Sequence, residues 1–206
     1  MTASDFARFP GALGDSLKWE RYAGRDILPM WVADMDFAAP PPVLDALRQR
    51  LDHGTLAYNT PSASQTESLV THLANEYAWR IDPAWLVWLP GLVPGLNHAC
   101  HAVGEAGSAV FTATPVYPPC LSAPRNAGRR LIGLPLKRGE RQWQWDFPCL
   151  AETLSQHPDG RLLLLCHPHN PVGRRWRDEE LKTLAEYAEA HDLIVCSDEI
   201  HCGLVL

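Results

Sequence analysis

The sequence predicts an α/β protein: a mostly parallel sheet with helices on both faces, preceded by an N-terminal arm. Two observations lead to this prediction. Short apolar runs typical of buried strands alternate with helical patterns along the second half of the chain. In the run at residues 161–166, every residue after the first is apolar, without the alternation of apolar and polar residues seen in half-exposed strands. This pattern is expected for a strand buried on both sides. The 206 residues, 46% of them apolar, suffice for a sizeable core.

The first part of the chain is predicted to hold an arm, two helices and a strand. Residues 1–39 show little periodicity and contain several glycines and prolines, so they are predicted to form an extended arm. A helix is predicted over residues 40–53, where leading prolines suit a helix start and apolar side chains follow at helical spacing. The same spacing predicts a helix over residues 64–80. A short apolar run at residues 85–89 is predicted to be a strand, and residues 94–103 a helix.

The remaining elements repeat the order strand, loop, helix. Residues 178–191 form the clearest predicted helix, with Asp178 as N-cap and acidic residues in the first turn. The segment around Tyr117 is predicted to be a loop stiffened by prolines. The inner face of the clearest helix is predicted to carry Leu181, Leu184, Ala185 and Ala188. Strands are predicted over residues 108–112, 130–136, 161–166 and 193–197, with an extended piece over 142–147 and a helix over 147–157.

Composition and charge exclude several partners. The formal net charge is −6 and no basic run occurs, so no nucleic-acid partner is expected. The apolar runs are too short to cross a bilayer, so no membrane partner is expected. The first ten residues lack the apolar segment of a signal peptide, and six cysteines without regular spacing fit reduced thiols, so the predicted location is cytoplasmic.

Polar features follow four of the predicted strands. Ligands of open α/β sheets bind beyond the carboxyl ends of the strands. Gly91 opens a helix, Tyr117 lies in a proline-rich loop, prolines bracket Asn170, and Asp198 leaves a buried strand directly. Each feature alone has an ordinary structural explanation, such as a connecting turn or an aromatic ring packed under a loop. Together they predict a site for a phosphorylated, aromatic, positively charged ligand.

Five strings in this order carry a family resemblance: "LPMWVADMDFAAPPPV", "LPGLVPGL", "PVYPP", "LLLLCHPHNPVGR" and "VCSDEIH". They resemble the β-C–S lyase branch of the fold-type-I pyridoxal-phosphate (PLP) enzymes, which includes cystathionine β-lyases of the maltose-regulator type. That branch belongs to the class I/II aminotransferase superfamily. The resemblance runs from about Lys18 to Leu206 and implies a PLP-dependent transferase-like fold. It divides the chain into an N-terminal arm with a helix of the small domain, residues 1–55, and an incomplete PLP-binding large domain, residues 56–206.

The resemblance also implies roles for individual residues toward pyridoxal 5′-phosphate. The turn whose backbone N–H groups bind the cofactor phosphate matches Gly91, Leu92 and Val93. Tyr117 matches the aromatic residue stacked on the pyridine ring, and Asn170 the amide that bonds the phenolic oxygen O3′. Asp198 matches the carboxylate paired with the pyridinium nitrogen, which keeps that nitrogen protonated so that the ring can accept electrons. His201 stands where related aminotransferases have a tyrosine near O3′.

Further implied roles concern the substrate and a second subunit. Tyr58 resembles the tyrosine that reaches the partner subunit's phosphate in family dimers, so a homodimer is expected for the intact protein. The strip that lines the substrate side matches Trp31, Val32 and Ala33. The implied reaction of the intact enzyme is α,β-elimination on a small amino-acid substrate, cystathionine or a cysteine S-conjugate, giving a thiol, pyruvate and ammonia.

The family's Schiff-base lysine is expected beyond Leu206, so no catalytic residue is assigned within this chain. Lysine is scarce here, and the three positions Lys18, Lys137 and Lys182 do not match the family's lysine. We therefore expect a truncated form of an ordinary enzyme, inactive by itself. The competing interpretation is a short protein that binds a ligand without catalysis.

Other functions stay open at this point. A class I/II aminotransferase shares the same cofactor residues, and a non-catalytic binding or regulatory fragment needs no lysine. A metal hydrolase would use the ligand types found at Cys196, Asp198, His201 and Cys202, but no C-x-x-C or H-E-x-x-H pattern occurs, so no metal is expected. A nicotinamide-binding domain is disfavoured because "GLVPGL" does not have the G-x-G-x-x-G spacing.

Overall fold

The computed structural model describes residues 16–205, so the prediction for residues 1–15 lies outside the described part. The chain divides into two compact units: the first ends at Tyr77 and the second begins at Ala78. The assignment of residues 1–55 to an arm with a small-domain helix, and of residues 56–206 to a large domain, stays a prediction.

Within residues 16–77, the first unit has three helices: α1 (Leu17–Glu20), α2 (Pro41–Asp52) and α3 (Ala63–Tyr77). The two predicted helices are confirmed. The prediction of an arm extended throughout is wrong at α1, whose Lys18 side chain is buried. Its Nζ donates to the Asp34 carbonyl at 2.7 Å and to Asp36 Oδ2 at 2.9 Å, which fixes the extended segment to the helix.

The second unit carries the sheet. Its helices are α4 (Leu92–Ala102), α5 (Pro118–Asn126), α6 (Phe147–Gln156) and α7 (Asp178–Ala190), with short 3-10 helices at Pro83–Trp85 and Cys202–Leu204. Its strands are β1 (Ala109–Thr114), β2 (Arg130–Pro135), β3 (Lys137–Arg138), β4 (Trp143–Gln144), β5 (Leu162–Cys166) and β6 (Ile194–Asp198). The alternation of strands and helices that the sequence predicts is confirmed.

The main sheet has four strands in the order β2–β1–β5–β6, and every neighbouring pair is parallel. Strands β3 and β4 form a separate antiparallel pair. In the register of β5 and β6, Leu164 lies beside Cys196 and Cys166 beside Asp198. The carboxyl ends of β1, β5 and β6 therefore meet at one edge, where the predicted site residues should converge.

Helices cover the sheet on both faces, as the sequence predicts. Phe111 of β1 and Leu163 of β5 belong to one buried cluster, together with Leu184 of α7. Val110 and Leu164 point to the opposite cluster, which includes residues of α4 and α5. Because alternate residues of β1 and β5 are buried on opposite faces, these strands have no polar face and appear in the sequence as unbroken apolar runs.

The predicted strand at residues 85–89 is wrong. Asp82 caps a 3-10 helix at Pro83–Trp85 by accepting the N–H of Ala84 at 2.8 Å. Residues 86–89 belong to neither described sheet, and Val87 and Trp88 are exposed. A strand needs a neighbour to bond its backbone, and no neighbour for this segment lies among the described residues.

Helix α5 replaces the loop predicted after Tyr117. Prolines misled the prediction, since "PPCLSAPRN" reads as a breaker-rich loop. Pro118 and Pro119 lie in the first turn, where backbone N–H groups have no acceptor within the helix, so the N–H that proline lacks costs no hydrogen bond. The apolar face of α5 is buried. Tyr117 is consequently the N-cap of a helix, which fixes its backbone more firmly than a loop would.

Helix α7 begins differently from the prediction. Arg177 is the N-cap and Asp178 is the first helical residue, so Asp178 is not the cap. Ala185 is exposed, whereas the charged Glu180 takes a buried position on the inner side. Leu184 and Ala188 are buried as predicted, and Leu181 is half-buried.

Gly160 provides a direct test of the packing at the start of β5. A Cβ at this position would collide with Cε2 and Cζ of Phe111, whose side chain is fully buried. We expect Gly160→Ala to lower the free energy of unfolding by about 1–3 kcal/mol, because the ring cannot move away without displacing the core. The control is Gly203→Ala, where a Cβ meets no atom within 4 Å and a change below about 0.5 kcal/mol is expected. Urea unfolding measures both, and equal effects would contradict this packing.

Candidate functional site

Gly91 precedes α4 with a backbone conformation reserved for glycine, at φ 154° and ψ 168°. The turn places Leu92 and Val93 as the first two residues of an eleven-residue helix. Their N–H groups have no partner within the helix by geometry, and the helix dipole adds partial positive charge there. This end of α4 is therefore suited to an anion such as a phosphate, and the role of Gly91, Leu92 and Val93 stays a prediction.

The loops that carry Tyr117 and Asn170 are in direct contact. Tyr117 follows β1, Asn170 follows β5, and the Tyr117 N–H donates to the Asn170 carbonyl at 3.0 Å. Both side chains are half-buried. The structure thus brings together two predicted site residues that lie 53 positions apart in the sequence, as expected for residues at the ends of adjacent parallel strands.

Asp198 ends β6 with a buried carboxyl group, only 2% exposed. Its Oδ1 accepts the Ile200 N–H at 3.2 Å, whereas Oδ2 has no hydrogen-bond partner among the described residues. Burial raises the pKa of Asp198. The hydrogen bond from the Ile200 N–H and the electrostatic effect of His201 lower it, but they only partly oppose burial. A buried carboxylate with one open oxygen is costly unless a cation pairs with it, so this position fits a protonated pyridine nitrogen.

Four cysteine thiols belong to, or pack against, the buried cluster on the α4 and α5 side of the sheet. Burial raises the pKa of Cys120 to about 12 and that of Cys100 to about 11, and it also raises the pKa of Cys166 and Cys196. These raised pKa values keep the thiols protonated at neutral pH. Within residues 16–205, no group of three His, Cys, Asp or Glu side chains could hold a metal ion.

His201 and Cys202 stand apart from the strand that precedes them. His201 is the N-cap of the 3-10 helix Cys202–Leu204 and is half-buried. His201 and Asn170 also line a cavity of about 480 Å³. Asp198 is not among the residues that line this cavity.

The loop between β5 and α7 is held by a buried ion pair that the sequence analysis missed. Arg174 Nη1 and Nη2 donate to the two carboxylate oxygens of Glu180 at 3.0 and 2.8 Å. The Arg177 N–H donates to Glu180 Oε2 at 2.9 Å, and the Arg174 carbonyl accepts the His169 N–H at 2.6 Å. The available sequence signal was Glu180, three residues after the N-cap, as in a capping box.

The remaining predicted residues lie in the first unit. Trp31 packs under the Arg21 guanidinium at 4.9 Å, Val32 is half-buried and Ala33 is exposed. Tyr58 is fully exposed. The roles of Trp31, Val32 and Ala33 on the substrate side, and of Tyr58 at a partner subunit, stay predictions.

The three lysines are engaged or exposed. Lys18 is bonded to Asp36, as described above, and Lys137 lies in β3 with its Nζ 2.8 Å from Asp146 Oδ1. Lys182 is exposed on α7. Helices long and apolar enough to cross a membrane do not occur within residues 16–205.

Comparisons with known proteins agree with this geometry. Residues 25–206 match the model of aminotransferase class I and II. The cystathionine β-lyase PatB of Bacillus subtilis is 38% identical over 93% of this chain and 50% of PatB. The crystal structure of OvoB superposes with a TM-score of 0.88 at 42% identity, covering 96% of this chain and 52% of OvoB.

Cystalysin from Treponema denticola, whose structure contains pyridoxal 5′-phosphate, superposes with a TM-score of 0.86 at 31% identity, covering 97% of this chain and 52% of cystalysin. The chain spans about half the length of the curated relatives it matches. These matches confirm the resemblance and the fold that the five sequence strings implied. The chain belongs to the aminotransferase class I and II family.

Proposed function

We propose that this chain forms the cofactor-binding part of a pyridoxal-phosphate-dependent β-C–S lyase. The observation that carries the proposal is the Asp198 carboxyl group, buried at the carboxyl end of β6 with Oδ2 unpaired. When bound, pyridoxal phosphate supplies a protonated pyridine ring that accepts electrons from the substrate. Asp198 would hold the proton on the ring nitrogen, since an adjacent carboxylate favours the charged form.

The other predicted residues complete this site. The N–H groups of Leu92 and Val93, after the turn at Gly91, would bind the phosphate. Tyr117 would stack on the ring and the Asn170 amide would donate to the ring's phenolic oxygen. His201, near Asp198, would lie on the same side as Asn170. The contact between the Tyr117 and Asn170 loops supports this arrangement, because it sets two of these side chains at a fixed separation.

The proposed reaction of the whole protein is α,β-elimination on cystathionine or a cysteine S-conjugate, releasing a thiol, pyruvate and ammonia. The name of PatB, cystathionine β-lyase, supports this choice of substrate class. Proton transfer at the substrate's Cα needs a lysine, and Lys137 and Lys182 do not take that place, one being paired with Asp146 and the other exposed on α7. We propose that this lysine follows Leu206 in the whole protein and that the 206-residue chain alone is inactive.

The family description favours a second candidate, an aminotransferase. It would use the same ring-binding residues, so these residues do not separate the two activities. A homodimer, in which Tyr58 reaches the partner's cofactor phosphate, and a cytoplasmic location are further parts of the proposal.

Product analysis separates the candidates. The whole protein, supplied with pyridoxal phosphate and cystathionine, is expected to release pyruvate and a free thiol in equal amounts, because elimination breaks the C–S bond. Pyruvate is measured with lactate dehydrogenase and the thiol with a chromogenic disulfide. The 206-residue chain is the matched control and is expected to release neither product. Transfer of the amino group to an added 2-oxo acid, without thiol release, would contradict the lyase proposal and favour the aminotransferase.

A further inference from the structure

His169 belongs to the loop that carries Asn170, and its side chain reaches the loop that carries Tyr117. The side chain is 1% exposed. Its Nε2 is 2.8 Å from the Pro115 carbonyl, in the loop that follows β1, and its Nδ1 is 3.2 Å from the Cys166 carbonyl at the end of β5. The imidazole therefore spans two strand ends that are separated by about fifty residues of sequence.

The two contacts cannot both be hydrogen bonds of a neutral imidazole. A neutral ring carries one N–H, yet both ring nitrogens of His169 face carbonyl oxygens. Burial lowers the pKa of His169 and the two carbonyls only partly oppose that effect, so the ring is neutral near neutral pH. One carbonyl therefore accepts a hydrogen bond from the ring N–H, and the other faces the unprotonated ring nitrogen.

The surroundings decide which carbonyl receives the proton. The Cys166 carbonyl already accepts the indole N–H of Trp176 at 3.3 Å. The Pro115 contact is also the shorter of the two, and an unprotonated nitrogen at 2.8 Å from a carbonyl oxygen would be repulsive. The proton therefore belongs on Nε2. Trp176 packs edge-on against His169 with the ring centres 5.3 Å apart, which holds the imidazole in this orientation.

We propose that His169 is a positioning residue that couples the Tyr117 loop to the Asn170 loop through a hydrogen bond from Nε2–H to the Pro115 carbonyl. The hydrogen bond from the Tyr117 N–H to the Asn170 carbonyl joins the same two loops, and it depends on the hydrogen bond from His169 to the Pro115 carbonyl. The inference rests on the proposed cofactor site, because its purpose is to fix the ring-stacking Tyr117 relative to the Asn170 amide. His169 itself touches neither cofactor nor substrate in this account.

The tautomer of His169 is the first test. Two-bond ¹H–¹⁵N NMR correlations of the 206-residue chain, without any cofactor, distinguish a protonated nitrogen from an unprotonated one in each histidine ring. We expect His169 to carry its proton on Nε2 and to keep Nδ1 bare. A proton on Nδ1, or a solvent-like average of both tautomers, would overturn the inference. This measurement uses the unaltered chain and does not depend on a variant that folds.

Two isosteric variants form the second test. In His169→Gln the amide NH₂ stands where Nε2 was, whereas in His169→Asn it stands where Nδ1 was. We expect the Tyr117 amide to exchange its hydrogen about tenfold faster in the Asn variant, which corresponds to about 1.4 kcal/mol of lost local stability. The Gln variant should stay close to the unaltered chain. Equal exchange in all three proteins, or equal acceleration in both variants, would overturn the proposed bond.

The outcome is separable from that of the proposed function. Both measurements are made without cofactor, so a failure there refutes the coupling by His169 and leaves the cofactor site untouched. Conversely, if the tautomer and the exchange rates agree with the inference but pyridoxamine 5′-phosphate does not bind, the coupling stands and the proposed function fails.

Discussion

Replacing Glu180 with alanine is expected to lower the free energy of unfolding by about 3–5 kcal/mol, because it leaves the Arg174 guanidinium buried without a counter-charge. Both side chains of the pair are less than one-tenth exposed, and they are joined by two hydrogen bonds. Glu180 also accepts the Arg177 N–H, so the start of α7 loses a cap in the same variant. Urea unfolding followed by circular dichroism measures the change.

A surface ion pair of the same unit provides the control. Asp192 lies 3.7 Å from Arg161 and is almost fully exposed, so Asp192→Asn should change the free energy of unfolding by less than about 0.5 kcal/mol. Asparagine also tolerates the positive φ of 52° at this position. Similar losses in Glu180→Ala and Asp192→Asn would show that the buried pair does not hold the loop.

The pH dependence of the Glu180 contribution has a definite sign. Burial alone would raise the pKa of Glu180, but hydrogen bonds from Arg174 and Arg177 outweigh burial and hold the pKa below its usual range. The stability that results is present above the pKa of the unfolded chain and is lost as the pH falls through the lower pKa of the folded chain. Glu180→Ala should lack this loss in acid.

Asp198→Asn is expected to raise the free energy of unfolding, whereas Glu180→Ala lowers it, and to impair the binding or the protonation of the cofactor. The Asp198 carboxylate is buried with Oδ2 unpaired, and a neutral amide costs less to bury than an unpaired carboxylate. We expect the free energy of unfolding at neutral pH to rise by roughly 1–2 kcal/mol. Asparagine can still accept the Ile200 N–H, so the local backbone should be unchanged. A variant that is destabilised instead would contradict the view that this carboxyl group lacks its partner.

The acid titration of stability distinguishes this effect from a packing change. Burial raises the pKa of Asp198 above its unfolded value. The favourable contribution of the protonated group is therefore fully present below the unfolded pKa and is lost as the pH rises through the folded pKa. The unaltered chain should lose this stability over that window, whereas Asp198→Asn should not. If the midpoint of unfolding shifts equally with pH in the unaltered chain and in Asp198→Asn, the assignment of this effect to Asp198 is contradicted.

The parts of the site at strand ends were predictable from sequence. Tyr117, Asn170 and Asp198 each lie at or just after the end of a strand of the parallel sheet, which brings such residues to one edge, whereas the run before Gly91 is not a strand. The contact between the Tyr117 and Asn170 loops confirms that convergence for two of them. Local sequence patterns suffice here because the topology of a parallel sheet determines the rest.

Features that depend on distant partners were not predictable in this way. Residues 85–89 have the composition of a strand, but strand formation depends on a neighbour that the pattern does not reveal. The ion pair of Arg174 and Glu180 joins a loop to a helix, and the helical pattern alone placed Glu180 among ordinary first-turn acids. The sequence pattern does not show where α5 begins, so Pro118 and Pro119 could not be recognised as first-turn residues, and Pro124 lies inside the helix.

The central claim is that Asp198 holds the proton on the cofactor's pyridine nitrogen. Pyridoxamine 5′-phosphate labelled with ¹⁵N in the ring tests it directly, because this form of the cofactor binds without a lysine. At mildly alkaline pH, the ¹⁵N chemical shift of the ring nitrogen bound to the unaltered chain should be that of a protonated pyridinium. With Asp198→Asn, bound ligand should be lost or the shift should be that of an unprotonated ring. An unprotonated ring nitrogen in the complex with the unaltered chain would contradict the account.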